Sequence, residues 1–454
     1  MEKSVLSRVL SLMLILVFTV TTAGLAGCGA QQAAPDTSKA NQEAQTAQEP
    51  AKAQEEKAGP VTLSVGLLAE DLDFFQAKTK EDSFKNALPN VTIDFQQYKD
   101  TEEMIKNQKI RQAANELPDV IYMKPDHLLE LKNSLVPWSE GEELVKQNKY
   151  VKSYAINSAE DGGYYGIPMK VFSDWVYYKP SIFKELNLQV PTTWGEFIDT
   201  AKAVKAGGKY IPIAMGAKDT WPTYPFNEWM PHVISNNPNI LTDLARQDEP
   251  FGPDSAFYKT YAMVDQLYKA DVLGKALGTS WSEAEQLMAS NKAAMMATGQ
   301  FYLPDYKKLG GDMSDIAVFP LPFNTEKVDG KKAVGLIDLF FGVSKTSKNL
   351  DTAKKYVAWF FGPEVYKAYI DERMMTSTVE GIDASNIFAE AIKEQKVEIF
   401  MYIPGDENYT KLAGDTKWET KTIGTQMMAG KDYKAILADY NKKWKAARAK
   451  LGIK

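Results

Sequence analysis

The sequence of 454 residues has very few of the side chains that metal centres and many hydrolases use. It contains one cysteine, Cys28, and two histidines, His127 and His232. One cysteine excludes an intramolecular disulfide and a multi-thiolate metal site. Two histidines leave little material for a zinc enzyme or a Ser–His–Asp hydrolase. We therefore expect neither a metal nor a cofactor.

The sequence also has no large excess of positive or of negative charge. Lys and Arg number 53 against 59 Asp and Glu, for a net charge of −6, and no basic tail or stripe stands out. Nucleic acid is therefore not an expected partner. Hydrophobic residues make up 44% of the chain, enough for sizeable cores. At about 100–200 residues per domain, roughly two to four domains or lobes are expected.

The motif content narrows the remaining classes to a binding protein or an enzyme that works with carboxylates. The chain has no H-E-x-x-H, G-x-S-x-G or Walker A motif, and no G-x-G-x-x-G after a predicted strand. Among 59 acidic residues, a pair of carboxylates does not by itself indicate a glycosidase.

Residues 1–27 have the features of a signal peptide. Lys3 and Arg8 supply a positive leader, and residues 9–20 form an apolar run too short for an ordinary membrane-spanning helix. Leu-Ala-Gly then precedes Cys28. This resembles the bacterial lipobox, in which the cysteine is lipidated and becomes the first residue of the mature chain. We expect lipidation at Cys28, and a free cysteine is the alternative.

Residues 28–60 are expected to form a disordered tether behind the lipidated cysteine. From residue 29 onwards they include no Val, Ile, Leu, Met, Phe, Tyr or Trp, so they cannot bury a core. A flexible coil of this length spans about 30 Å. Such a tether would lift a domain off a membrane, whereas the alternative is a charged surface helix.

Strands and helices alternate from residue 61 onwards. Apolar and polar residues alternate over Val61–Leu67 and Val91–Gln96, and a short apolar strand is predicted at Asp119–Met123. Thr101–Glu116 is predicted to be a helix between the second and the third of these strands. This order favours a mostly parallel α/β sheet.

Later segments carry a helix cap, an aromatic cluster and an isolated acid. Thr193 and Glu196 have capping-box spacing at the start of a predicted helix. Prolines within residues 219–229 argue against a regular helix, so this aromatic-rich stretch is predicted to be a loop. Asp338 lies in an apolar run, where a buried carboxylate needs a ligand hydroxyl or a positive charge. We place His127 on a surface turn.

Five segments in a fixed order carry a resemblance to a known family. The chain resembles the family 1 extracellular solute-binding proteins of bacterial ABC importers, the superfamily of the maltose-binding protein. The segments are Leu117–Ile121; Gly166–Pro168 with Trp175–Pro180; Pro191–Trp194; Asn291–Gly299; and Phe341–Lys345 followed by a helix with Ala353, Tyr356, Val357 and Phe360.

The resemblance implies a type II fold of the periplasmic-binding-protein kind, with two α/β lobes, hinge strands and a ligand cleft between the lobes. Residues 61–169 and 319–373 are assigned to the first lobe. Residues 170–318 and 374–454 are assigned to the second. The chain is expected to cross between lobes near residues 169–174, 317–321 and 371–377.

Candidate ligand-binding residues follow from this architecture. Loops after strands of the first lobe supply polar candidates, since ligands of open α/β sheets bind at the carboxyl ends of strands. The resemblance places further candidates after the first crossing, in the aromatic cluster and where the family carries stacking aromatics. The set is Glu70, Asp71, Lys124, Asp126, Asp174, Trp175, Trp221, Tyr224, Trp229, Phe301, Tyr302, Asp338 and Trp418.

The function implied is capture of a carbohydrate, expected to be an oligosaccharide, and its delivery to the permease subunits of an ABC importer. Sugars present apolar C–H faces and hydroxyl rings, which suits flat aromatic side chains and polar residues. The protein is expected to be a monomer anchored by lipid to the outer face of the cytoplasmic membrane. The same fold binding a polyamine or another small solute is an alternative, and a surface glycosidase is a further one.

Overall fold

The computed structural model describes residues 59–328 and 330–453, except for the side chain of Asp126. The predicted signal peptide, Cys28 and nearly all of the predicted tether lie outside these residues. The strands of the described part are β1 Val61–Leu68, β2 Val91–Tyr98, β3 Val120–Met123, β4 Ile167–Tyr178, β5 Ile211–Ile213, β6 Ala293–Gly299, β7 Ala317–Phe319, β8 Lys331–Val343 and β9 Val397–Met401.

Helices cover both faces of these strands. They are α1 Leu72–Lys78, α2 Asp82–Ala87, α3 Thr101–Ala114, α4 Pro125–Leu131, α5 Glu143–Gln147, α6 Pro180–Glu185, α7 Trp194–Ala206, α8 Met230–Ser235, α9 Ile240–Leu244, α10 Ala256–Lys269, α11 Trp281–Ala289, α12 Tyr302–Lys308, α13 Leu350–Phe360, α14 Pro363–Glu372, α15 Ile387–Glu394, α16 Glu407–Thr416, α17 Thr420–Met428 and α18 Tyr433–Leu451.

The predicted strands and helices at the start of the domain are confirmed. β1 pairs in parallel with β2 and with β3. The Asp100 carboxylate caps α3 by accepting from the Glu103 amide, and the helix ends where Asn115 turns left-handed. Thr193 caps α7 as predicted, but Glu196 accepts from the amide and hydroxyl of Thr192 rather than completing a capping box.

The sheet is mixed, so the prediction of a mostly parallel sheet is wrong. The strand order is β2-β1-β3-β8-β4-β6-β5, with β7 beside β4 and β9 beside β8. β8 is antiparallel to β3 and to β4, and β4 is antiparallel to β6 and β7. The long strands β4 and β8 run in opposite directions through the middle of the molecule, which the local pattern of each segment does not reveal.

β4 changes its hydrogen-bonding partners part-way along its length. Its first residues, Ile167–Ser173, pair with β8, whereas from Asp174 onwards it pairs with β6. β7, near which a crossing was expected, pairs with the second part of β4. Thr376 forms an antiparallel bridge with Val171. The exact lobe boundaries stay predictions.

Two large apolar cores lie on either side of the point where β4 changes its partner strand. One packs β1, β3 and the end of β8 against α1, α13 and α14, and includes Phe75, Phe341 and Phe360. The other packs β6 against α7, α10, α17 and α18, and includes Phe257 and Trp444. Two cores joined by β4 and β8 form the predicted two-lobed α/β architecture.

Two local predictions are wrong. Residues 219–229 form a 3₁₀ turn at Trp221–Thr223 and a π-helical turn at Pro225–Trp229 that leads into α8, rather than a loop. Proline lacks an amide hydrogen but is tolerated in a first helical turn, where that hydrogen has no intrahelical partner. His127 lies within α4 and is buried, instead of lying on a surface turn.

The buried hydroxyl of Tyr154 joins segments that are distant in sequence. It donates to the Tyr402 carbonyl at 2.9 Å and accepts from the Ile337 amide at 3.2 Å. Tyr154 thereby ties the chain before β4 to β8 and to the segment after β9. Removal of this hydroxyl would leave two buried backbone groups without that partner.

Tyr154→Phe is expected to lower the free energy of unfolding by about 1–3 kcal/mol, because the hydroxyl is removed while its backbone partners stay buried. Urea unfolding followed by circular dichroism measures this. Tyr210→Phe is the matched control, since its hydroxyl donates to the exposed Glu185 and water replaces it. The control is expected to change stability by less than about 0.5 kcal/mol. Equal effects of the two substitutions would contradict the structural role of Tyr154.

Candidate ligand-binding site

A cavity of about 720 Å³ opens at the carboxyl ends of β1, β2 and β3. We call it the large cleft. On one side the segments after these strands supply Glu70, Lys99 and Lys124. On the other side β4 and the start of α12 supply Phe172, Phe301 and their neighbours. Its walls therefore come from both halves of the sheet, which meet where β4 changes its partner strand. Ligands of open α/β sheets bind outside the carboxyl ends of strands, as this cavity lies.

The floor of the large cleft carries a compact charge network. The Asp338 carboxylate on β8 contacts the ammonium of Lys124 and lies 3.3 Å from that of Lys170 on β4. Lys170 also lies 3.7 Å from the Glu70 carboxylate. Lys170 is buried, whereas Glu70 is 59% exposed. Two lysines and two acids thus give the floor a net charge near zero.

Charge pairing outweighs burial in this network. Burial raises the pKa of Asp338, but Lys124 and Lys170 override it and hold the pKa at about 2. Burial lowers the pKa of Lys170, yet the surrounding Tyr369, Asp338, Asp71 and Glu70 raise it well above its usual value. Asp338 and Lys170 therefore stay ionised at neutral pH.

Asp71, which directly follows Glu70, has a structural position. Its carboxylate is fully buried and accepts from the hydroxyls of Tyr122 and Tyr369, at 3.0 and 3.1 Å. Its other oxygen lies 2.9 Å from the Arg373 guanidinium. Asp71 thereby anchors Arg373, which itself lines the large cleft.

An aromatic wall faces this charged side. Phe172 and Phe301 line the cleft, and Trp221 and Trp281 pack against Phe301 from outside the lining; all four are partly exposed. The ring centroids of Trp221, Trp281 and Phe301 lie 4.6 to 6.1 Å apart, and those of Phe172 and Phe301 lie 6.0 Å apart. Gly299 permits this packing, because a Cβ there would lie 2.6 Å from the Phe301 ring and 3.0 Å from the Phe172 ring.

A buried acid lies behind the aromatic wall. The Tyr224 hydroxyl donates to Asp174 Oδ1 at 2.6 Å, and Oδ2 has no hydrogen-bond partner among the described residues. Burial raises the pKa of Asp174 well above its usual value, the Tyr224 hydrogen bond lowers it, and nearby Glu228 raises it. Asp174 lies where β4 begins to pair with β6.

The structure brings only part of the predicted set to the large cleft. Glu70, Lys124, Phe301 and Asp338 line it, and Trp221 contacts Phe301 from outside the lining. The buried members behind the wall or in the cores are Asp71, Asp174, Trp175, Tyr224, Trp229, Tyr302 and Trp418. The side chain of Asp126 lies outside the described structure.

Two of the buried tryptophans, Trp175 and Trp418, pack against other side chains in the protein interior. Trp175 donates its indole hydrogen to the Ser173 hydroxyl at 2.9 Å, and its side chain is fully buried. Trp418 stacks on Phe251, with ring centroids 4.1 Å apart, in the core beneath α18. Aromatic side chains at these positions fill apolar space.

Sequence reasoning missed several residues that line the cleft, among them Phe172, Lys170 and Arg373. Lys170 offered a usable signal, since a lysine inside an otherwise apolar strand requires a counter-charge. Phe172 lies on the same strand but alternates with buried neighbours, a pattern equally typical of core. Arg373 reaches the site from the end of a helix far along the chain, and nothing local marks it.

Within residues 59–328 and 330–453, no group of three or more His, Cys, Asp or Glu side chains is placed to hold a metal ion. The helices of this described part also include none that is long and apolar enough to span a bilayer.

Asp174→Asn is expected to become more stable relative to the wild type as pH rises. The folded protein holds the Asp174 proton more tightly than the unfolded chain, whose aspartate pKa is about 3.9. Wild-type stability is therefore progressively lost as pH rises from about 4 through the raised folded-state pKa. Urea unfolding from pH 4 to pH 8 measures the difference.

The surface variant Asp254→Asn controls for the removal of one negative charge. The stability difference between wild type and this control, measured across the same range, gives the effect of losing one negative charge at the surface. A constant difference for Asp174→Asn would show that Asp174 ionises in the folded protein as it does in the unfolded chain.

Known proteins share this architecture. The structure of apo RafE from Streptococcus pneumoniae matches with a TM-score of 0.73 at 18% identity, covering 87% of this chain and all of RafE. The mannobiose complex of BlMnBP1, an ABC-transporter binding protein from Bifidobacterium animalis subsp. lactis, matches with a TM-score of 0.66 at 20% identity, covering 86% and 95% of the two chains. These likenesses confirm the predicted two-lobed fold.

Sequence comparison identifies the family. The multiple sugar-binding protein of Streptococcus mutans is 23% identical over 367 residues, which is 76% of this chain and 79% of that protein. Residues 66–367 match the family model described as bacterial extracellular solute-binding protein. That match covers more than half of the sequence and includes β2 through α13 with most of the large cleft. The chain therefore belongs to the bacterial extracellular solute-binding proteins.

Proposed function

We propose that the protein captures a carbohydrate in the large cleft and delivers it to the permease subunits of an ABC importer. The observation that carries this proposal is the pairing of an aromatic wall with a charge-balanced polar floor. Aromatic faces pack against the C–H faces of sugar rings. Lysine and carboxylate side chains at the floor donate to and accept from hydroxyl groups.

The floor favours a neutral, hydroxyl-rich ligand over a polyamine. A polyamine carries several positive charges and needs uncompensated carboxylates. Here Asp338 is already held between Lys124 and Lys170. A cation placed beside these lysines would be repelled, whereas a sugar hydroxyl can hydrogen-bond to either sign of charge.

The same network makes a glycosidase a poorer match. A retaining or inverting glycosidase needs one carboxylic acid that is protonated near neutral pH, beside a second ionised carboxylate. The Asp338 pKa of about 2 keeps that group ionised. We therefore assign the cleft a binding role without catalysis.

Related proteins support the choice of ligand class. RafE has been captured with raffinose, and BlMnBP1 with mannobiose. The Streptococcus mutans relative carries the name multiple sugar-binding protein. From this shared architecture and from the residues of the large cleft we infer a sugar ligand for this chain.

Ligand capture would close the two lobes on the sugar. Closure is driven only if ligand contacts come from both sides, since a ligand shifts an equilibrium by its differential affinity for the two states. Glu70 and Lys124 lie on one side of the large cleft, and Phe301 lies on the other. β4 and β8 connect the sides and are the elements expected to bend.

The family is extracellular, which places this binding unit outside the cytoplasm. We further propose that lipid at Cys28 holds the protein, as a monomer, on the outer face of the cytoplasmic membrane. Several acyl chains hold a protein stably at a membrane, whereas a single chain binds only weakly and reversibly.

Phe301→Ala is expected to weaken saccharide binding by about tenfold or more, a loss of about 1.4 kcal/mol, because the wall loses a ring that faces the cleft. Isothermal titration against sugars, with spermidine and phosphate esters included, first identifies the ligand and then measures the change. Trp418→Ala is the control, as it removes a core ring and should lower the melting temperature without a specific loss of affinity. Selective binding of spermidine would replace the proposed ligand class.

Cys28→Ala is expected to move the protein from the membrane fraction to the soluble fraction, because the residue expected to carry the acyl chains is lost. Cell fractionation with immunoblotting measures this. Replacement of a residue next to the cysteine, Gly29→Ala, is the control and should leave the protein in the membrane fraction. Retention of Cys28→Ala at the membrane would contradict lipid anchoring at this position.

A further inference from the structure

One buried side chain bonds to two other segments at the point where β4 changes its partner strand. Gln300 directly follows β6, and its side chain is fully buried. Its amide oxygen accepts from the Ser173 backbone amide at 2.8 Å and from the Ser173 hydroxyl at 3.1 Å. The same oxygen accepts from the Thr376 hydroxyl at 3.3 Å, and the amide nitrogen donates to the Met374 carbonyl at 3.3 Å. Gln300 thus joins the end of β6 to β4 and to the segment after α14.

The partners of Gln300 fix the orientation of its amide group. A backbone amide can only donate and a backbone carbonyl can only accept, so the oxygen must face Ser173 and the nitrogen must face Met374. The Gln300 backbone amide also donates to the Ser173 carbonyl at 3.1 Å. Glutamine is the uncharged side chain of this length that carries an acceptor and a donor at once. The site therefore uses both ends of the amide.

These hydrogen bonds cross from one half of the molecule to the other. β6 belongs to the core that contains α7 and α18, whereas α14 packs in the core that contains β1 and α13. Ser173 is the last residue of β4 that pairs with β8, and Asp174 is the first that pairs with β6. The Gln300 amide therefore holds the two halves together where β4 is expected to bend.

The backbone beside Gln300 has a disfavoured conformation. Met374 has a φ of 53°, in the left-handed region that residues with a side chain seldom adopt. Two residues later, Thr376 exchanges backbone hydrogen bonds with Val171 of β4, at 3.0 and 3.1 Å. Gln300 contacts both ends of this short connection. The turn from α14 onto β4 is thus held by a side chain from the other half.

Gln300 lies directly behind residues that line the large cleft. Its neighbour Phe301 lines the cleft, as do Phe172, which precedes Ser173, and Met375, which follows Met374. The side chain of Gln300 itself is fully buried, so a sugar in the cleft would not touch it. A change in its bonding would therefore move the cleft walls relative to each other without removing a ligand contact.

We propose that Gln300 is a positioning residue of the hinge, whose amide holds the two halves at an angle from which the large cleft can close on a sugar. The ligand part of this inference rests on the proposed function, whereas the effect on the hinge is present without ligand. If these bonds are lost, the halves take up a wider range of angles, and a sugar must order them when it binds. Ordering costs free energy, so affinity falls although every ligand contact is kept.

Gln300→Met is the test variant, since methionine has a similar length but cannot donate and accepts only weakly. Isothermal titration with raffinose, stachyose, mannobiose and mannotriose compares it with the wild type. For each of these sugars that the wild type binds, the variant's affinity is expected to fall by about fivefold or more. Thr376→Val removes only the hydroxyl bond to Gln300 and should give a smaller loss in the same direction, which keeps the test valid if Gln300→Met does not fold.

Gln108→Met is the matched control. Gln108 on α3 is also fully buried, and its amide donates to the Tyr122 carbonyl on β3 at 3.0 Å. The substitution therefore removes a buried hydrogen bond within one half of the molecule. It should lower the melting temperature and keep the wild-type affinity for sugars.

The hinge is measured without ligand from the distance between two spin labels. Cys28→Ala removes the one native cysteine, and Glu102→Cys with Lys307→Cys then places a label on each side of the large cleft. Both positions are exposed, one in the first turn of α3 and one on α12. Double electron–electron resonance should give a broader distance distribution when Gln300→Met is added, and an unchanged one when Gln108→Met is added.

The outcomes separate this inference from the proposed function. An unchanged affinity or an unchanged distance distribution in Gln300→Met would overturn the inference while sugar binding stands. Equal losses of affinity in Gln300→Met and Gln108→Met would also overturn it, since loss of any buried hydrogen bond would then have the same effect. If the wild type binds none of the four sugars, the proposed function fails, and the label distances alone decide whether Gln300 fixes the hinge.

Discussion

One continuous strand belongs to both halves of the molecule, and the rest of the structure depends on it. β4 pairs with β8 up to Ser173 and with β6 from Asp174 onwards. Since a buried strand must satisfy its backbone hydrogen bonds along its whole length, each half of the sheet is fixed to the same backbone. The two cores pack on opposite sides of this point, and the large cleft opens where their strand ends meet.

The charge network holds the cleft floor at this junction. Lys170 on β4, Asp338 on β8 and Lys124 after β3 come from three separate segments that only the folded sheet brings together. Loss of one partner from a buried pair costs about 3–5 kcal/mol, because the other charge is left uncompensated. The floor is thus rigid and close to neutral, and the opposing aromatic wall supplies the apolar surface that charged groups cannot.

A row of aromatic rings packs behind the large cleft. The Phe172 ring meets Phe301 edge to face and is tilted against Trp229, and Trp229 is stacked on Tyr402. Trp229 is buried, so it supports Phe172 rather than presenting a free face to the cleft. The two rings that line the cleft, Phe172 and Phe301, are therefore held in place by packing from behind.

The sequence by itself determined the local elements, the family and part of the cleft. Alternation marked β1 and β2, and Asp338 was recognised because a carboxylate in an apolar strand demands a counter-charge. Tertiary structure alone decided which aromatics are exposed: Phe301 lines the cleft and Trp221 packs against it, whereas Trp175, Tyr302 and Trp418 fill cores. A tryptophan suits either place equally well, and only long-range packing decides between them. Lys170 also entered the site without being foreseen, because only the folded sheet brings β4, β8 and the segment after β3 together.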